Sequence, residues 1–140
     1  MVINKRNCEI INTKELYIHD DVFELLTFDR DNKKLILDLH KYYRIVENQY
    51  YRVNEKYKII FNDVMGFTIT SCDPWGSGEC VFDFINVASK DYILIPDLEK
   101  RWLKTNNEIP NIRDNCIESF IEFSSGDQLR IVSKEIVIED

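Results

Sequence analysis

The feature that most constrains this chain is a side-chain alternation of period two that returns along most of its length. In "KLILDLHKYY", Leu35, Leu37 and Leu39 fall on one side and Asp38 and His40 on the other, while "YKIIFND" groups Tyr57, Ile59 and Phe61. A half-buried β-strand requires this pattern, because successive side chains point to opposite faces of a sheet. Composition pulls the same way. A single alanine, Ala88, stands among many isoleucines, and β-branched side chains suit a pleated surface better than a helix.

The alternating runs arrive in local pairs. "VFELLTFD" passes through the turn-rich "DRDNKK" into "KLILDLHKYY", and "CIESFIEF" and "QLRIVSKEIVIE" flank "SSGD", where Gly126 supplies the positive φ of a tight turn. "VMGFTITSC" and "CVFDFINVA" form a third pair, strands 64–72 and 80–88 closing across the loop 73–79. About seven to eight strands follow from this count. The expectation is one domain over 1–140, mainly β with α+β as the other option. Its architecture is an antiparallel sandwich or partly closed barrel built from sequential hairpins, with one short helix near 96–105.

That helix is read from "PDLEKRWLKTNN". Pro96 opens it, acidic residues fill its first turn and basic ones its last, and Leu98 and Trp102 sit four apart on one face. Trp102 is therefore expected to be buried on the sheet. A weaker helical turn is expected at 13–16, and "KTNNEIPNIRDN" reads as a mobile loop.

The stretch "TSCDPWGSGEC" concentrates unusual residues. With 64–72 paired to 80–88, Cys72 faces Cys80, yet the C-x7-C spacing lacks the short knuckle and neighbouring histidine of a structural zinc site. "GSG" lacks the lysine and spacing of a phosphate loop. Four cysteines without an export signal read as free thiols. Asp73-Pro74, Gly76 and Gly78 hold Trp75 in place, either closing one end of the core or anchoring a protein partner with Asp73 and Glu79 beside it. Plain strand-end residues and a partner-binding loop are the two readings of this passage.

The only histidines, His19 and His40, lie beside carboxylates. His19 precedes Asp20 and Asp21, and Asp38 shares a strand face with His40. Brought together, His19, Asp20, Asp38 and His40 would make a metal or acid–base site; kept apart, they are a strand entry and a solvent face. No nucleophile elbow, H-E-x-x-H helix or P-loop occurs. These residues lean away from an enzyme, and no catalytic residue, metal or other cofactor is expected. The run Tyr42, Tyr43, Tyr50, Tyr51 and Tyr57, interleaved with Lys41, Arg44, Arg52, Lys56 and Lys58, has the pattern of a peptide or nucleic-acid groove.

Charge weighs against nucleic acid. The chain carries −7, and all of that excess lies in residues 57–140, which hold eight basic and fifteen acidic side chains. Such a surface repels phosphate backbones and suits a basic protein partner, although solubility alone also explains it. No apolar run is long enough to cross a membrane, the polar start does not read as a signal peptide, and a cytoplasmic address is expected. Exposed strand edges would allow a homodimer. The isoleucine- and asparagine-rich, alanine-poor usage accompanies AT-rich genomes, so a bacterial source is expected.

Three passages, "IHDDVFELLTFDRDNKKLILDL", "YKIIFNDVMGFTITSCDPWGSG" and "SSGDQLRIVSKEIVIE", resemble the small bacterial proteins of YxiG-like or immunity-protein-like type. That resemblance implies a non-enzymatic protein that neutralises a secreted toxin by binding it. It carries no functional residues over to this chain.

Overall fold

A computed structural model describes residues 1–12, 16–70, 80–106 and 111–140. The fold is mainly β: two antiparallel sheets packed as a sandwich, not closed into a barrel, with one helix longer than a single turn. The strands are β1 (Val2–Asn4), β2 (Val22–Asp29), β3 (Lys34–Val46), β4 (Gln49–Asn62), β5 (Gly66–Ile69), β6 (Val81–Asn86), β7 (Ile117–Phe123), β8 (Gln128–Ser133) and β9 (Glu135–Glu139). One sheet runs β1-β9-β4-β3-β2 and the other β5-β8-β7-β6.

The alternation read from the sequence sets the core. Leu35, Leu37 and Leu39 of β3 and Tyr57, Ile59 and Phe61 of β4 are buried, and they meet Phe84, Ile121, Phe123, Leu129 and Ile131 from the second sheet. The β2–β3 hairpin forms, with Phe28 opposite Leu35 and Leu26 opposite Leu37. The β7–β8 hairpin also forms, and Gly126 sits in its turn at φ 91°. A side chain at that φ is strained, so glycine belongs there.

The expected hairpin of 64–72 with 80–88 does not form. β5 and β6 lie on opposite edges of their sheet, β5 against β8 and β6 against β7. Thr68 consequently faces Arg130 and Phe84 faces Ile121. The reason lies in the β7–β8 hairpin, whose residues are buried along most of both strands. Strands buried on both faces belong in the middle of a sheet, while short strands carrying Thr68 or Asp83 can tolerate an edge. Both ends of the connecting segment are tied to the β7–β8 turn: Thr70 N–H donates to the Gln128 carbonyl at 3.0 Å and Cys80 N–H to Ser124 Oγ at 3.0 Å. The facing of Cys72 and Cys80 falls with that hairpin, and Cys72 itself lies outside the described residues. Cys8, Cys80 and Cys116 are free thiols.

The expected helix is α1 (Leu94–Asn106), and it starts two residues before Pro96. The cause is Glu118 of β7, which is fully buried and accepts hydrogen bonds from the backbone N–H groups of Ile93 (3.0 Å) and Ile95 (2.8 Å). The first N–H groups of a helix have no partner within it, and a carboxylate there also meets the positive end of the helix dipole. Arg130 Nη1 donates to the same carboxylate at 2.7 Å and stacks on Phe120. The helix seats Leu94, Ile95 and Leu98 on Met65, Val132, Ile112 and Cys116. Gly66 permits that approach, since a Cβ there would stand 2.7 Å from Leu98 Cδ2.

Trp102, expected to be buried, is 37% exposed. The apolar seat of α1 ends at Leu98, and residues 100–104 are all exposed. Within the stretch read as a mobile loop, a short helix α2 (Ile112–Asn115) instead buries Ile112 against α1. Of the expected turn at 13–16, residues 13–15 lie outside the described residues.

Replacing Glu118 with Ala would strand the Arg130 guanidinium and two backbone N–H groups at once. Loss of one partner from such a buried charged network costs about 3–5 kcal/mol. Urea unfolding followed by circular dichroism should show a drop of that order, and a change below about 1 kcal/mol would show that Glu118 does not hold the helix start.

Candidate interaction surface

β3 and β4 are longer than the strands beside them. β2 reaches β3 only as far as the Val22–His40 pair, and β9 reaches β4 only as far as Lys58–Glu139. Among the described residues, the pairs from Lys41–Glu55 to Val46–Gln49 therefore have no strand on either side. Residues 41–55 form a two-stranded arm, about 17 Å long at the rise of a β-strand. It turns at Glu47 and Asn48, whose φ values of 52° and 63° are those of a two-residue hairpin turn with the twist that strands favour.

A free two-stranded ribbon is marginal in water, so its root matters. Asp21 lies there, nearly buried. Lys41 Nζ donates to its two carboxylate oxygens at 3.1 and 2.9 Å, and the Tyr57 hydroxyl donates to Oδ2. Burial raises the Asp21 carboxyl above the usual range, although Tyr57 and Lys41 both pull it down. Burial, then the Asp21 carboxylate, holds the Tyr57 hydroxyl far above the ordinary tyrosine range. On the other face His40 is clamped: Nδ1 lies 2.9 Å from Glu24 Oε1, Nε2 meets Asn54 Oδ1, and the ring stacks on Tyr42 with centroids 4.0 Å apart. Further out, Arg44 Nε donates to both oxygens of Glu55 at 2.9 Å and lowers that carboxyl.

The cross-strand register sorts the arm's side chains into two faces. Tyr43 stands opposite Arg52 and Ile45 opposite Tyr50, while Arg44 faces Tyr51 and Val46 faces Gln49. Tyr43, Ile45 and Tyr50 are 60%, 56% and 75% exposed. Taking about 200 Å² per ring, Tyr43 and Tyr50 on the one face show about 270 Å² to solvent. With the exposed Ile45 beside them, that face comes into the range of the largest apolar patch on a typical monomer, which is often functional. Tyr17 and Phe82 are exposed near the root, where Lys41 Nζ donates to the Tyr17 carbonyl.

The histidine–aspartate constellation is not brought into one group. His19 Nδ1 pairs with Asp20 Oδ2 at 3.1 Å, both exposed, while Asp38 pairs with Lys58 at 3.1 Å. His40 has both ring nitrogens engaged by Glu24 and Asn54. Among the described residues, no three His, Cys, Asp or Glu side chains are placed to hold a metal ion. Burial, with Asp20 and Asp21 adding to it, raises the Cys80 thiol, which opposes the thiolate that a nucleophile needs. Asp73, Trp75 and Glu79 lie outside the described residues.

Of the aromatic run read from the sequence, Tyr57 is core and the other four stand on the arm. The signal for the arm was the pair Glu47-Asn48 between two alternating runs. No helix among the described residues is long and apolar enough to cross a membrane. No protein-family model, curated protein or solved structure matches the chain.

Tyr57 supplies a test of the root. Its folded-state hydroxyl ionises later than an unfolded one, so the unfolded chain releases its proton first as pH rises past about 10. Stability from this group is full below that pH and is lost above it. Tyr57→Phe should cost about 1–3 kcal/mol at neutral pH and should also flatten the fall in stability between about pH 9 and pH 11. Thermal melts across that range read both effects, and an unchanged alkaline slope would remove Tyr57 from the account.

Proposed function

We propose that this chain is a non-enzymatic protein-binding domain, with an immunity-type inhibitor of a basic toxin as its specific form. The observation that carries the reading is the arm, which presents tyrosine, isoleucine and arginine to solvent on a rooted hairpin. Those residue types dominate protein–protein contacts because they bring large, rigid, partly polar surfaces at small cost in side-chain freedom. The charge of −7 supports a basic partner for the body of the sandwich. The resemblance of three passages to immunity-type proteins points the same way. An enzyme built on His19, Asp20, Asp38 and His40 draws no support from their separate pairings.

The test uses three baits against lysate of the source organism: the wild-type chain, Trp75→Ala, and Tyr43→Ser with Tyr50→Ser, each first checked for folding. A basic protein held at low salt and released at higher salt is the expected catch. Loss of it in the first variant assigns the contact to 73–79, and loss in the second assigns it to the arm. Equal retention by all three baits, or no retained protein, overturns the reading. If Trp75→Ala unfolds the chain, Trp75 is a core residue and is not a partner anchor.

A further inference from the structure

At its β1 edge the first sheet ends in a group of positive charges. Asn4 faces Glu135 at the last step of the β1–β9 ladder. The next residue on each chain, Lys5 and Lys134, follows where both leave that ladder, and like charges so placed repel one another. Arg6 comes next, on a turn in which Asn4 N–H donates to Asn7 Oδ1 at 2.7 Å and Arg6 N–H donates to Asn4 Oδ1 at 2.9 Å. The three cations line one open cavity of about 380 Å³, together with Asn4 and with Asp114 and Asn115 of α2. Lys5 is held in place, because its Nζ donates to the Tyr92 hydroxyl at 2.9 Å. Among the described residues the side chains of Arg6 and Lys134 have no ion pair and no hydrogen bond. Burial raises the thiol of Cys116, Lys134 and Lys5 pull it down, and Asp63 adds to the rise. Both ammonium groups therefore stand near one buried sulfur.

We propose that this cavity binds the phosphate group of a small molecule, at a site separate from the arm. Charge decides the class of ligand. Lys5, Arg6 and Lys134 against Asp114 give a local +2 in a chain of −7, which leaves −9 on the rest. A carboxylate brings one negative charge and leaves the site positive. A phosphate group carries about −1.5 to −2 at neutral pH and has three acceptor oxygens, one for each cation. The Arg6 guanidinium suits two of those oxygens as a planar fork, and the two ammonium groups act as point charges. A bound dianion also offsets the repulsion between Lys5 and Lys134. The cavity is larger than a phosphate group alone, so it has room for an organic group attached to one. A long polyanion is disfavoured, because beyond about 8–10 Å it meets the acidic remainder of the surface.

The experiment titrates the full chain with inorganic phosphate from about 0.1 to about 20 mM, a range that brackets a millimolar dissociation constant. Sodium chloride holds the ionic strength constant, so that screening alone produces no signal. The melting temperature should rise by about 3–5 °C when phosphate stands tenfold above its dissociation constant. In a ¹⁵N-correlated NMR spectrum the amide signals of Lys5, Arg6 and Lys134 should move. Arg6→Gln with Lys134→Gln should weaken binding at least about tenfold, since two charged donors are lost. Without phosphate that double variant should melt no lower than the wild-type chain, because it also loses a like-charge contact. Lys100→Gln, an exposed cation on α1, should bind as the wild type does. Ribose 5-phosphate held more tightly than inorganic phosphate assigns the rest of the cavity to the organic group of a phosphate ester; equal binding assigns the site to the free anion. No rise in melting temperature overturns the inference, as do signals that move elsewhere or a double variant that binds undiminished. All three outcomes leave the arm, and the three-bait comparison that tests it, untouched.

Discussion

A mismatch of strand lengths organises this molecule. β3 and β4 run for 13 and 14 residues, but β2 on one side and β9 on the other run for only 8 and 5. The shared stretch builds the core, because three residues of each long strand face the second sheet. Beyond it the same two strands continue without a described strand beside them, and past the root contacts most of their side chains are exposed. The arm is therefore the continuation of the two strands that contribute most to the core of the first sheet. Its position is fixed by the best-packed part of the protein.

The junction between these regimes is where the polar residues concentrate. Asp21 joins the first residue of the arm, Lys41, to the last core tyrosine of β4, Tyr57. Glu24, His40, Asn54 and Tyr42 make a second clasp on the opposite face. A buried carboxylate is stabilised by a charged donor and a hydroxyl together, and removing either leaves an uncompensated group. Such networks add less to net stability than to direction. Here they tie the root of the ribbon to Asp21, just before β2, and to Glu24 within β2. The buried Glu118 sets the start of α1 in the same manner, from a strand 24 residues downstream of that helix's first residue.

Local pattern made part of this legible. Alternation located β2, β3, β7 and β8, and the turn chemistry of "DRDNKK" and "SSGD" joined them correctly. Pairings that depend on distant strands were not legible. Whether 64–72 turns back onto 80–88 depends on how strongly β7 and β8 claim the centre of the sheet, and nothing between Thr70 and Cys80 reports that. The helix was visible, but its first residue was not, because its cap comes from Glu118. Trp102 looked like core by its spacing from Leu98, yet the sheet beneath α1 offers no seat beyond that leucine. The tyrosines show the limit most clearly. Tyr57 is buried and Tyr50 is exposed on the same strand, and the difference lies only in where β2 and β9 stop.

That limit bears on function. A sequence with two histidines and several aspartates invites a search for a catalytic cluster, and each of those groups here has a local structural partner. The side chains that stand out in solvent are of another kind: two tyrosines and an isoleucine, Tyr43, Tyr50 and Ile45, on a ribbon with Arg52 among them. A catalytic site concentrates unsatisfied polar groups in a concave, water-excluding place. Among the described residues the buried carboxylates Asp21 and Glu118 are hydrogen-bonded, while Tyr43, Ile45 and Tyr50 stand exposed on the arm. Covering area of that kind lowers its free energy, and the proposed recognition role draws on that.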